Sequence, residues 1–101
     1  MKVSVRMVIG CEQNRNEPAQ SWEKIIILPD RPLSGDYLML DIGPLWKQLP
    51  ISRVTWDERS SQYVVDAGVQ WVTDSDYGDF IRAGLWTPIP LTEARAEIRK
   101  E

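Results

Sequence analysis

From Lys2 to Gly10 the chain alternates, with Val3, Val5, Met7 and Ile9 on one side and Lys2, Ser4 and Arg6 on the other. Successive side chains of extended backbone point to opposite faces, so this period of two predicts a half-buried strand. A second apolar, β-branched run, Trp22 to Leu28, is expected to pair with it. Between them lies a polar stretch, residues 11–21, holding the only two asparagines, which reads as a long loop.

The segment Pro29 to Asp36 is dense in turn formers and redirects the chain into a third strand, Tyr37 to Ile42. Within it, Pro32-Leu33-Ser34-Gly35-Asp36 followed by an apolar strand resembles the strand entry of small SH3-like barrels. That resemblance implies a strongly bent sheet or partial barrel and specifies no ligand. Gly43-Pro44 closes the strand, and Leu45 to Pro50, bounded by prolines, reads as a short linker with one helical turn.

Ile51 to Trp56 is the fourth strand, and Tyr63 to Val72 continues the pattern as the fifth. Pairing Asp57 with Gln62 around the intervening turn sets Trp56 opposite Tyr63 and Val54 opposite Val65. Gly68 then marks a bulge or sharp bend.

Beyond Val72 the period lengthens, since Tyr77, Phe80 and Ile81 share one helical face. A short helix from Asp76 to Ala83 follows, capped by Asp74, Ser75 or Asp76 and stopped by Gly84 in the left-handed region, with Leu85 closing back on Phe80. Trp86 to Pro90 is extended because of its two prolines. A weak last helix, Thr92 to Lys100, presents a thin apolar face of Leu91, Ala94 and Ile98. The expected fold is α+β in a single domain, residues 1–101: about five antiparallel strands over 1–72, then a helical extension over 73–101.

Composition removes most chemistries. With no histidine there is no Ser-His-Asp or Cys-His nucleophile, no imidazole base and no His-containing metal site. Cys11 is the only cysteine, so an internal disulfide and a multi-thiolate cluster are both out of reach. Asp74-Ser75-Asp76-Tyr77-Gly78-Asp79 imitates a calcium loop. Its glycine falls one place early, however, and its twelfth position is Leu85 instead of glutamate. No catalytic residue, metal or cofactor is expected.

The longest apolar run in the strand region, Ile25 to Leu28, is far too short to cross a membrane, and Arg6 interrupts any secretory signal. The first fifty residues balance six basic against six acidic side chains; the remainder carries six and nine. Basic groups are thus scattered singly among carboxylates, an arrangement that disfavours nucleic acid. A cytoplasmic protein is expected, with neither nucleic acid nor membrane as partner.

The five tryptophans are the richest functional clue. Trp56 and Trp71, inside strands, are expected in the core. Trp22, Trp46 and Trp86 lie at element ends or in proline-rich connections. Together with Tyr37 and with Glu17 from the 11–21 loop, they form the candidate ligand- or partner-binding surface. An aromatic wall beside carboxylates suits a cationic or planar ligand, a protein partner or self-association as a homodimer. The reading is therefore a small non-catalytic binding domain. The alternatives are a small enzyme using two converging carboxylates, and an accessory protein of a phage or integron cassette.

Overall fold

The structure is a computed structural model that describes residues 1–14, 20–43 and 45–90. Its strands are β1 (Lys2–Cys11), β2 (Gln20–Ile27), β3 (Tyr37–Ile42), β4 (Leu45–Pro50), β5 (Arg53–Asp57), β6 (Gln62–Val72) and β7 (Thr87–Pro88). The helix α1 spans Asp74–Ala83, and Glu12–Asn14 form one 3-10 turn after β1. Five strands make one sheet in the order β5-β6-β1-β2-β7, and β3 and β4 pair separately.

The alternating segment is the middle strand. Val3, Val5, Met7 and Ile9 are all buried on one face, and on the other Ser4 is buried too, its hydroxyl donating to the Glu23 carboxylate at 2.7 Å. β2 lies antiparallel on one edge of β1, with Val3 opposite Ile26 and Met7 opposite Trp22, as the apolar pattern predicts. On the other edge β6 runs parallel to β1, Val3 beside Tyr63 and Val5 beside Val65.

The parallel pair corrects the expectation of an all-antiparallel, SH3-like partial barrel: the sheet is mixed and open, within a broadly α+β fold. Parallel neighbours need a crossover connection, because the chain must return to the end from which it started. Here the segment between β2 and β5 makes that crossing and carries the β3–β4 hairpin over one face of the sheet. Leu40, Ile42, Leu49 and Ile51 from this crossing join Val3, Val5, Met7, Ile9, Val65 and Ala67 in one core.

Leu45 to Pro50 is therefore a strand and not the expected helical linker. It pairs with β3 from Ile42 opposite Leu45 to Tyr37 opposite Pro50. Its prolines stand only at the margins of the strand, where ladder donors are dispensable. The fourth expected strand starts later, at Arg53, because Ile51 is drawn back into the core. There it accepts from the Gly35 N–H (2.9 Å) and donates to the Asp36 carbonyl (2.8 Å).

Other expectations hold in detail. The β5–β6 register sets Trp56 opposite Tyr63, with rings edge to face at 5.1 Å, and Val54 opposite Val65. The β1–β6 ladder slips between Arg6 and Val8, where Gly68 adopts φ 77° and inserts one extra residue in β6. Gly84 ends α1 at φ 64°.

The helix begins earlier than expected. Thr73, not an aspartate, is its N-cap, its hydroxyl accepting from the Asp76 N–H at 3.1 Å. The proline-rich segment after the helix extends along β2 as β7, where the Ile89 N–H donates to the Ser21 carbonyl at 2.9 Å. The expected helix from Thr92 to Lys100 lies outside the described residues.

α1 seats Phe80 against the Trp22 ring at 4.8 Å, near perpendicular, with Trp86 and Tyr77 each 6.4 Å from Phe80. Gly43 permits this approach, since a Cβ there would stand 3.0 Å from the Phe80 backbone nitrogen. Burial pushes the Tyr77 phenol above its ordinary pKa of 10.0, and the negative charge of an ionised Cys11 adds to the rise.

Two stability predictions follow from this packing. Met7→Ala removes a fully enclosed side chain from the middle strand and should lower stability by about 2–5 kcal/mol, read as a lower urea midpoint at unchanged slope. Because Tyr77 ionises less readily in the folded chain, its contribution is complete below pH 10.0 and is lost as pH rises through the higher folded value. Tyr77→Phe should flatten that alkaline decline in a series of urea titrations.

Candidate interaction surface

The alternation that buries Leu40, Ile42 and Leu49 turns the intervening residues of β3 and β4 away from the core. Tyr37 is 61 % exposed, Met39 59 % and Trp46 69 %, and Gln48 and Pro50 are exposed beside them. Tyr37 faces Pro50, Met39 faces Gln48, and Trp46 faces Asp41. Residues so placed on one face of an antiparallel pair are within side-chain reach of one another. The hairpin thus carries a strip of large apolar groups on its outward side.

The strip is held at a fixed place on the sheet. The Lys24 ammonium, on β2, forms an ion pair and hydrogen bond with the Asp41 carboxylate of β3. The Trp86 indole Nε1–H donates to the Asp41 carbonyl oxygen at 2.8 Å, and the Lys24 ammonium sits 5.9 Å from the centre of the Trp86 ring. One residue of the hairpin therefore receives both a charged partner and a neutral one, each with most of its surface covered, where such bonds are stronger than in water.

Of the expected surface residues, Tyr37 and Trp46 share this outward face. Trp22 and Trp86 are corrected: they are only 7 % and 5 % exposed and pack around Phe80. Both belong to the strand and the extended segment that α1 covers, so their position at element ends does not leave them outside. Glu17 lies outside the described residues.

Trp56 is corrected in the opposite sense, being more than half exposed, because β5 is the terminal strand of the sheet. Trp71 is half-buried rather than core, its ring lying where a Cβ on Gly10 would come within 2.4 Å. Met39 and Pro50 were not foreseen as part of the surface. The alternation of Trp46, Gln48 and Pro50 with Lys47 and Leu49 is the signal that would find Pro50, and that of Tyr37 and Met39 with Leu38 and Leu40 would find Met39.

Four of the described carboxylates are taken up in separate pairs: Asp41 with Lys24, Glu23 with Ser4, Asp79 with Arg82, and Asp57 with Arg59. Asp57 feels burial, which raises its pKa, but hydrogen bonds from Arg59 and Ser60 outweigh that and hold the carboxyl below its ordinary range. Among the described residues, no group of three or more His, Cys, Asp or Glu side chains is placed to hold a metal ion. No described helix is long and apolar enough to cross a membrane. Comparison with protein-family models, curated proteins and solved structures gives no match.

The two classes of tryptophan separate in a stability assay. Trp22→Ala should destabilise by about 3–5 kcal/mol, as for other buried aromatics. Trp46→Ala should stay within about 0.5 kcal/mol of the parent, as at surface positions generally. Urea unfolding followed by far-ultraviolet circular dichroism reads both.

Proposed function

We propose that this chain is a small non-catalytic binding domain that engages a protein partner through the outer face of the β3–β4 hairpin, with Tyr37 and Trp46 as anchors. The observation that carries the reading is the exposed row of Tyr37, Met39 and Trp46 on a hairpin pinned by Lys24 and Asp41. Exposed apolar groups gathered on one face, instead of scattered, mark interaction sites. Tyr, Trp and Met are also the side chains enriched where proteins meet.

A two-stranded ribbon offers a flat surface, which suits another protein surface better than a small molecule needing enclosure on most sides. Two rigid aromatic anchors flanking a flexible methionine can bind without ordering many torsions. A cytoplasmic setting agrees with a lone cysteine that has no internal disulfide partner.

Panning a displayed random-peptide library against the immobilised domain, with counter-selection on a Tyr37→Ala/Trp46→Ala variant, tests the reading. Peptides should enrich on the parent, bind the double variant at least tenfold more weakly, as expected when hot-spot aromatics are truncated, and resist competition by tetramethylammonium. Binders indifferent to the double variant would refute the hairpin surface. Competition by the quaternary ammonium ion would instead favour a site for small cations, through attraction to the ring faces.

A further inference from the structure

We propose that the outer edge of β2 at Ile25–Ile27 is a strand-addition site for a second copy of this chain, forming a two-fold dimer with a continuous sheet. The inference starts from hydrogen-bond parity. Met1 and Leu28 exchange both of their backbone bonds at 2.7 Å, so they are a bonded pair of the β1–β2 ladder. In an antiparallel ladder bonded and non-bonded pairs alternate. Val3 with Ile26 and Val5 with Lys24 are therefore bonded pairs, whereas Ile27, Ile25, Glu23 and Ser21 aim their N–H and C=O groups at the outer edge.

At Ser21 and Glu23 that edge is covered by β7, as the bond from the Ile89 N–H to the Ser21 carbonyl shows. Strand β7 is only two residues long and does not reach further. Ile25 and Ile27 consequently present backbone donors and acceptors with no partner among the described residues.

The side chains do nothing to discourage pairing. Natural edges are blunted by lysine, proline or bulges. Here the outward stretch is Ile25-Ile26-Ile27, with Ile27 80 % exposed, and the neighbouring Lys24 is engaged by Asp41 on the covered face. The run is also self-complementary. A two-fold axis at Ile26 sets Ile25 opposite Ile27 of the copy and Ile27 opposite Ile25, closing four backbone hydrogen bonds and gathering four isoleucines on one face.

In that register Lys24 faces Leu28 of the copy, so no like charges oppose each other. The copy's chain must turn out of the strand line at Leu28-Pro29, one ladder position short of Thr87, which pairs with Glu23. This edge is distinct from the hairpin surface, so either can stand without the other.

Sedimentation velocity of the full chain tests the proposal. The parent should show a species of twice 11.6 kDa that grows with concentration. Ile27→Lys, at a position too exposed to support the fold, should sediment as a monomer with unchanged circular dichroism, and Trp46→Ala should still dimerise. Amide exchange at Ile25 and Ile27 should slow as concentration rises. A parent that stays monomeric, a dimer lost in Trp46→Ala but kept in Ile27→Lys, or exchange at these two amides independent of concentration would each overturn the proposal.

Discussion

The structure depends on β1 being hydrogen-bonded along both edges and covered on its apolar face. A strand in that position exposes no ladder group, and its row of Val3, Val5, Met7 and Ile9 supplies the surface on which the other elements assemble. Each of these side chains contributes burial on the order of 1.5–3 kcal/mol, and each meets residues from distant parts of the chain. Neither the crossing hairpin nor α1 has another apolar surface of comparable extent to pack against.

What covers that face determines which aromatic residues remain outside. Trp22 sits on β2, beside the middle strand and under α1, and disappears into the core; Trp56 sits on the terminal strand β5 and stays more than half exposed. The hairpin has one side turned inward, so its other side must carry whatever residues alternate there. Tyr37, Met39 and Trp46 are outward because Leu40, Ile42 and Leu49 are inward. The Lys24–Asp41 pair and the Trp86 bond to the same residue fix the hairpin on the sheet, so an outward aromatic strip is also a positioned one.

Features governed by local periodicity or by a single backbone conformation are legible in the sequence. The middle strand, the β5–β6 register, the bulge at Gly68 and the helix stop at Gly84 all rest on neighbours a few residues apart. The direction of β6 relative to β1 was not legible, because alternation is identical in parallel and antiparallel strands and the choice is made by the route of the intervening chain. The same blindness misplaced four tryptophans, Trp22, Trp56, Trp71 and Trp86. Position at an element end describes the chain, whereas burial depends on where that element falls in the order β5-β6-β1-β2-β7. For the surface, position in a proline-rich connection points to Trp46, but the strand nature of Leu45 to Pro50 that makes it a neighbour of Tyr37 is hidden by the flanking prolines.

The parallel pairing of β1 with β6 joins Val3 to Tyr63 and Cys11 to Val72, positions about sixty residues apart along the chain. Closing so long a loop carries an entropic barrier that local hairpins such as β3–β4 and β5–β6 do not face. The middle strand of the finished molecule therefore gains its second neighbour only through a long loop, and its edge toward β6 stays bare until β6 is in place. The pace of folding is thus expected to follow the closing of that loop, a step no local hairpin can shorten.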